Sequence, residues 1–304
     1  MAPLVDSDGE ALGLIQIDSL DQRNRFQEND LEVLAAVATQ AAFVLQNIAL
    51  HENDIRQKQI ERDLALAHKV QQGLLPSTPP AIADYQFFDF YEPANQVGGD
   101  FYDYIPLPDG RLGVIIADVS GKGVAAALVM AKLSAEVRFC LATHVDLDLA
   151  VNAINQGFCR NGWEDRFVTF LLLVLDPRRH DVQIVNAGHM PPFLRQADGR
   201  VVELYPDEAG MPLGVVEDYA YVVSGRSLGP GEHVLVYTDG FSEAMNSLKE
   251  LYGLERIQSH MAGIFPGVTE LGRSILTDVQ AFVGGYPQSD DMCLVCFGRQ
   301  SGQC

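Results

Sequence analysis

The sequence predicts an α+β fold, an antiparallel β-sandwich flanked by helices. Most of the predicted strands follow one another through short turns such as "DPRRHD" and "ADGR", which join antiparallel neighbours. The predicted helices lie outside these runs of strands. The chain has 304 residues, 47% of them hydrophobic, which is enough to bury one large core and a smaller element.

The first 50 residues contain a strand, a loop and the start of a long helix. The strand "EALGLIQID" precedes the polar loop "SLDQRNRFQ", and the acids of "ENDLEVL" suit a helix N-terminus. The apolar positions of the helix alternate by three and four residues, as in a coiled-coil seam or a core-facing helix: Leu31, Leu34, Ala38, Ala41, Leu45 and Ile48. The stripe continues weakly, with a phase slip, and one helix over 28–75 would be ~70 Å long. It is either a solvated helix with one apolar face or a dimerising signalling helix.

Prolines end this helix in "PSTPPAIADY", so we place a boundary at Pro76. The predicted organisation is a small N-terminal segment at 1–50, a coiled-coil-like helical linker at 51–78 and a large domain at 79–304. The large domain is predicted to have helices near 124–143, 147–160, 253–262 and 268–283. Its predicted strands are "QFFDFYEP", "LGVIIAD", "FVTFLLLVLD", "DVQIVNAG", "PPFLRQ", "RVVELY", "EHVLVYTD" and "MCLVCFG".

Charge and cysteine content limit the classes of binding partner and the cellular compartment that the sequence predicts. The formal net charge is −20, from 41 acidic and 21 basic side chains, which disfavours nucleic acid and anionic lipid as partners. Five scattered cysteines favour a reducing cytoplasm over a disulfide framework. Cys293 and Cys296 form a CxxC, but on a strand they would point to opposite faces, which disfavours a redox or zinc site. No signal peptide is visible, and the window "LEVLAAVATQAAFVLQNIAL" carries Glu32 and three amides, so we interpret it as a soluble helix without a membrane role.

Several aspartates stand beside strands, in glycine turns or next to another acid. They are Asp100 in "NQVGGDFYDY", Asp118 in "IIADVSGKG", Asp239 in "LVYTDGFSEA", and Asp290 and Asp291 in "PQSDDMCLV". One such aspartate is ordinary in a turn, whereas this set indicates a converging carboxylate site that needs hard divalent cations. Oxygen ligands with few histidines favour Mg²⁺ or Mn²⁺ over Zn²⁺.

Glycines in "VGGD" and "DVSGKG" would let the backbone approach such ions, so the Val119 carbonyl is a further candidate ligand. Two cations ~4 Å apart would generate a hydroxide at neutral pH and hold phosphoryl oxygens in line, the chemistry of phosphomonoester hydrolysis. Other sites fit less well. "GKGVAA" lacks the second-strand acid of a dinucleotide fold, GxxxxGK[ST] and GxSxG are absent, and Cys159 is followed six positions later by Asp165 rather than by arginine.

His189 lies in the turn "VNAGHMPPFL", which Asn186 and Gly188 would shape. It is either a structural histidine bonded to backbone in a tight loop, or an acid or phosphate contact at the rim of the metal site.

Residues 79–298 resemble the SpoIIE-type branch of the metal-dependent PPM (PP2C-like) serine/threonine phosphatases. The matching strings occur in the family's order: "QVGGDFYD", "ADVSGKGVAAALVMA", "RFVTFLLLVLD", "NAGHMPPFL", "GMPLGV", "VYTDGFSEAMN" and "DDMCLVCF". The family's antiparallel β-sandwich, flanked by helix pairs, agrees with the fold predicted above.

The resemblance implies a role for each acid. Asp118 would bridge two Mn²⁺ or Mg²⁺ ions, the Val119 carbonyl and Asp100 would serve one ion, and Asp239 with Asp290 the other, with Asp291 as the second choice beside Asp290. Further substrate or rim contacts are expected from Gly99, Lys122 and His189. Lys122 replaces a frequent His and Cys293 a usual Thr or Ser; neither change removes a metal ligand, so an active enzyme is expected.

Residues 10–50 resemble the closing strand and last helix of a GAF sensory domain. Regulators of this type dephosphorylate a phosphoserine or phosphothreonine on a STAS-type anti-sigma factor antagonist, so the resemblance implies that partner and a homodimer joined through the linker helix. Linker packing in the dimer would position the helix "VAAALVMAKLSAEV" and complete the metal site. The alternative is a non-catalytic or autoinhibited dimeric scaffold, against which the intact carboxylates argue.

Overall fold

The computed structural model describes residues 1–19, 26–160 and 166–301. Most of the predicted loop "SLDQRNRFQ" and Cys304 lie outside these residues. The chain divides into two compact units, Met1–Leu66 and Ala67–Cys304. The domain limits at 50 and 78 stay predictions.

The first unit is a two-stranded antiparallel sheet with a helix. Strand β1 (Ala2–Val5) pairs with β2 (Ala11–Ile15), and helix α1 (Glu28–Gln72) begins in this unit. Leu34, Ala38 and Ala42 recur every four residues and therefore share one helix face, which is buried in a cluster with the β1 side chains. The predicted seam is thus divided, because Leu34 and Ala38 are buried while Leu31, Leu45 and Ile48 are exposed.

A second apolar face of α1 is exposed. At 3.6 residues per turn, its members fall within about 60° of one another on the helix. This set, the α1 stripe, consists of Val33, Val37, Val44, Ile48 and Ile55, each 47–57% exposed. Within the described residues, α1 is also the helix whose length and apolar composition would suffice to cross a membrane, and 17% of its most apolar stretch is buried.

The second unit contains two five-stranded antiparallel sheets. The first has the order β10-β7-β6-β5-β4 and the second β3-β12-β11-β8-β9. The strands are β3 (Tyr85–Glu92), β4 (Phe101–Pro106), β5 (Leu112–Val119), β6 (Val168–Asp176), β7 (Asp181–Ala187), β8 (Phe193–Arg195), β9 (Val201–Glu203), β10 (Ser224–Ser227), β11 (His233–Tyr237) and β12 (Met292–Arg299). The helices are α2 (Val124–Thr143), α3 (Leu147–Arg160), α4 (Asp239–Ser242), α5 (Leu254–Met261) and α6 (Val268–Val283).

The sheets pack face to face between two helical layers, which confirms the predicted sandwich. Along β5, Val114 and Ile116 enter the cluster between the sheets, whereas Ile115 and Ala117 enter the cluster with α2 and α3. Along β12, Cys293 faces the other sheet and Cys296 faces α5 and α6. The two thiols of the CxxC therefore lie on opposite faces, as predicted.

Strands β1, β4 and β10 were not predicted from the sequence. Strand β4 carries a buried acid, Asp103, whose charge is paired with Arg138 of α2 at 2.6 Å. Strand β10 has the sequence "SGRS", which contains no apolar residue. These last two were missed because an apolar alternation is the usual sign of a strand.

Candidate functional site

Strand pairing brings the predicted aspartates to one edge of the sandwich. Phe101 of β4 pairs with Ala117 of β5, which places Asp100 beside Asp118. In the other sheet Tyr237 of β11 pairs with Leu294 of β12, so that Asp239 follows one strand and Asp290 and Asp291 precede its neighbour. The site therefore lies where the ends of strands from both sheets meet.

A hydrogen bond joins the two sheets at Asp100. The Thr238 hydroxyl donates to Asp100 Oδ2 at 2.6 Å and accepts from the backbone N–H of Cys293 at 2.9 Å. Asp100 is 2% exposed, and burial, followed by the nearby Asp118, raises its carboxyl pKa well above the usual value. Thr238 was not among the site residues predicted from the sequence; its place beside Asp239 in "YTDG" was the available signal.

Neighbouring carboxylates also help to raise the pKa values of Asp118 and Asp239. Burial, then the charges of Asp239 and Asp290, raises the pKa of Asp118 to about 7. Burial, then Asp290 and Glu243, raises the pKa of Asp239. Asp118 also shares a hydrogen bond with Asp100. Removing water from several carboxylates that repel one another is costly, and a nearby cation would offset that cost.

Asp291 has a different environment, since backbone amides already engage its oxygens. Its Oδ1 accepts from the Ala94 N–H at 2.8 Å, and its Oδ2 accepts from the Gly99 N–H at 2.6 Å. A Cβ at position 98 would collide with this carboxylate, and one at position 99 would lie 3.0 Å from the Val119 carbonyl oxygen. The glycines of "VGGD" are thus needed for close packing of the backbone against both groups, with Gly99 next to the predicted carbonyl ligand.

Gln71, in the last turn of α1, holds the same loop. Its Nε2 donates to the Gly98 carbonyl at 2.6 Å and its Oε1 accepts from the Gly98 N–H at 3.1 Å. Gln71 is 5% exposed. The linker string "VQQGLLP" therefore contains a direct contact with the loop that leads into Asp100, and sequence reasoning had no way to identify its partner.

Lys122 lies at the rim and forms an ion pair with a predicted metal ligand. Its Nζ is 2.8 Å from Asp290 Oδ2 and donates to the Ser289 carbonyl at 2.5 Å. It is carried by the turn between β5 and α2, where Gly121 and Gly123 have φ values of +88° and +75°. The hydrogen bond that Lys122 donates to Asp290 raises the pKa of Lys122.

His189 is held at both ring nitrogens. Because the Tyr237 carbonyl accepts from Nε2 at 3.0 Å, the proton lies on Nε2, and the Thr169 hydroxyl donates to Nδ1 at 2.8 Å. Thr169 belongs to one sheet and Tyr237 to the other, and burial lowers the pKa of His189 to about 4. Of the two interpretations of His189, these contacts favour the structural one, a link between the sheets.

The residues fit a hard divalent cation by donor chemistry, since the carboxylates offer only oxygen. The acids do not form a complete coordination site, however. In the described ranges no group of three or more His, Cys, Asp or Glu side chains is placed to hold a metal ion. The pKa shifts of Asp100, Asp118 and Asp239 indicate that these carboxylates share one electrostatic environment.

Comparisons with known proteins agree with this geometry. The family model described as Stage II sporulation protein E (SpoIIE) matches residues 108–300, and that of the GAF domain matches residues 1–45. Protein IcfG of Synechocystis is 25% identical over 264 residues, 78% of this chain and 41% of that protein. Phosphoserine phosphatase RsbP of Bacillus subtilis is 29% identical over 244 residues, 77% of this chain and 57% of that protein. The chain thus spans about half the length of these two relatives.

The solved structures show the same fold. The SiaA-PP2C domain of Pseudomonas aeruginosa superposes with a TM-score of 0.68 at 24% identity, covering 80% of this chain and 98% of that domain.

Proposed function

The chain belongs to the SpoIIE family of PP2C-like phosphatases, and from that premise we propose that residues 79–304 hydrolyse phosphoserine or phosphothreonine on a signalling protein with two Mn²⁺ or Mg²⁺ ions. The observation that carries the proposal is the group formed by Asp100, which is buried, and by Asp118 and Asp239, which are partly buried. The pKa values of all three are raised by loss of solvent and by neighbouring carboxylates. A site that leaves three aspartates uncompensated is suited to binding cations.

The residues divide into ligands and supports. Asp100, Asp118, Asp239, Asp290 and the Val119 carbonyl would hold the ions, which when bound would lower the pKa of a coordinated water and polarise the phosphoryl oxygens. We now assign Asp291 a positioning role, because the Ala94 and Gly99 amides occupy its oxygens.

The supporting residues position the ligand groups and do not themselves bind the ions. Thr238 orients Asp100 across the two sheets, and Gly99 gives the Val119 carbonyl an open approach.

A phosphoserine on a STAS-type anti-sigma factor antagonist is the proposed substrate, in line with the family resemblance and with the phosphoserine named for RsbP. The proposed location is the cytoplasm, and the proposed oligomer is a homodimer. The α1 stripe supports the dimer, since five half-exposed aliphatic side chains on one helix face favour a helical partner. The Gln71–Gly98 contact would transmit a change in linker packing to the loop before Asp100.

A turnover assay tests the phosphatase proposal. Dephosphorylation of p-nitrophenyl phosphate and of a phosphorylated STAS-domain protein would be measured with and without Mn²⁺ for the parent chain, Asp118→Asn and Asp239→Asn. Asp198→Asn is the matched control, because this exposed aspartate bonds only locally with Arg200. We expect metal-dependent turnover that both site variants lose and the control keeps. Turnover that survives Asp118→Asn would sink the proposal.

An autoinhibited scaffold is the second candidate, and the Lys122–Asp290 ion pair is the observation that favours it. In this pair the Lys122 ammonium group bonds to the Asp290 carboxylate, which is one of the proposed metal ligands. Calorimetric titration of Mn²⁺ separates the candidates. Tight binding to the parent chain supports the enzyme, whereas binding only to Lys122→Gln supports autoinhibition.

A further inference from the structure

A second polar cleft lies at the opposite end of the second sheet from the aspartates. It has a volume of about 400 Å³ and is lined by the start of β3, the start of β11, the end of β8 and the end of β12. Asp239 and Asp290 lie at the other ends of β11 and β12. Since β12 has eight residues, the two ends are roughly 25 Å apart at ~3.3 Å per residue.

The cleft has an unpaired buried histidine in its wall. His233 is 8% exposed, and its ring packs over Gly298, where a Cβ would collide with it. Its Nδ1 is buried and has no hydrogen-bond partner among the described residues. An unsatisfied buried polar atom destabilises the folded protein, and a hydrogen bond to a ligand would remove that cost.

The charge of the wall favours an anion. Of the described residues that line the cleft, two are arginines, Arg195 and Arg299, and none is acidic, in a chain of net charge −20. Arg195 uses Nε and Nη2 on the Gly263 carbonyl, and its Nη1 has only a 3.4 Å contact. Arg299 likewise has a single 3.4 Å contact, to the Leu228 carbonyl. Both guanidinium groups therefore keep donors for a ligand.

The N-terminus of α6 reaches the same cleft. Gly267 at its N-cap has no side chain to accept from the first-turn amides, although Gln86 Oε1 accepts from the Val268 N–H at 3.1 Å. The positive end of a 16-residue helix adds to the attraction for negative charge.

We propose that this cleft binds a small oxyanion, a phosphate ester or a carboxylate, through Arg195, Arg299 and the His233 imidazole. Because Nδ1 is buried, the His233 ring would turn about its Cβ–Cγ bond to bring that nitrogen to the cleft, where it would donate its proton to the anion. The proposal does not depend on the phosphatase activity, and the distance from the aspartates makes the cleft a separate site.

Nuclear magnetic resonance of the histidine-labelled 304-residue chain tests the proposal. The protein would be kept in EDTA, so that no metal draws phosphate to the aspartates, and titrated with inorganic phosphate or acetate against chloride at equal ionic strength. The His233 signal is assigned by its loss in His233→Gln. We expect a saturable shift of that signal, with binding at least tenfold weaker in Arg299→Gln and in Arg195→Gln.

Arg200→Gln is the matched control, because Arg200 is exposed and pairs only with Asp198. It should leave the affinity unchanged. Saturation by phosphate alone identifies a phosphate ester site, and saturation by acetate a carboxylate site. The absence of a saturable shift with either anion up to tens of millimolar, or equal affinities in the Arg299 variant and the control, would overturn the proposal.

Discussion

Residues 1–66 bury a small cluster around Ala38 and leave the α1 stripe in solvent, whereas residues 67–304 bury charged groups among three apolar clusters. The first region has more apolar surface than its two short strands can cover. The second has more negative charge at one edge than its described cations neutralise. Each region is thus incomplete in a different way, one lacking an apolar partner and the other lacking positive charge.

The largest expected effect comes from replacing one carboxylate at the edge of the sandwich where the aspartates lie. Asp118→Asn should lower metal-dependent turnover on the order of 10²-fold or more, because it removes one of the carboxylates that would hold the ions. The same change should stabilise the metal-free protein at pH 8 by about 1–3 kcal/mol, since it removes a carboxylate whose pKa is raised to about 7. Urea unfolding in EDTA measures the second effect, and Asp198→Asn should show neither. A loss of both stability and turnover would mean that Asp118 is structural.

A buried neutral histidine offers a test by pH. The pKa of His189 is lowered to about 4, so the unfolded chain binds a proton below pH 6.5 that the folded chain excludes. The stability that the neutral His189 ring contributes is therefore fully present above pH 6.5 and is lost as the pH falls towards 4. Over that window the free energy of unfolding falls by about 1.4 kcal/mol per pH unit. Unfolding free energies measured across this window should fall less steeply in His189→Gln. His51→Gln, at an exposed site of α1, should keep the parent slope.

A charge in the α1 stripe tests the apolar region. Ile48→Asp should weaken self-association at least tenfold, equal to about 1.4 kcal/mol, because it buries a carboxylate in the proposed helical interface. Sedimentation equilibrium measures the association. Glu52→Gln, at an exposed polar position one turn later, should leave it unchanged. A parent chain that is monomeric at every concentration would refute the dimer.

The smallest effect is expected for the contact between Gln71 of α1 and Gly98, in the loop that leads into Asp100. Gln71→Ala removes two hydrogen bonds to Gly98 and should cost about 1 kcal/mol of stability, with reduced turnover because the loop before Asp100 loosens. Gln72→Ala is its exposed neighbour and control. Equal turnover in the two variants would show that this contact does not carry a signal.

Sequence patterns predicted the features that depend on local chemistry. Alternation and turns gave the sandwich, and strand-end aspartates with neighbouring glycines pointed to the edge where Asp100 and Asp118 meet. Long-range contacts were out of reach, because nothing local in "VQQGLLP" tells that Gln71 bonds to Gly98, or in "YTDG" that Thr238 bonds to Asp100. The division of the α1 seam also depended on β1 and β2, whose packing selects Leu34, Ala38 and Ala42.

Because side chains alternate between the two faces of β12, its two cysteines report separately on two packing interfaces of the protein. Cys293 and Cys296 are both free and 0% exposed, and they belong to different apolar clusters of the same strand. A thiol reagent can reach Cys293 only when the sheets separate from each other, and Cys296 only when α5 and α6 lift away. The alkylation rates of the two sites would therefore time two distinct opening motions of one sandwich.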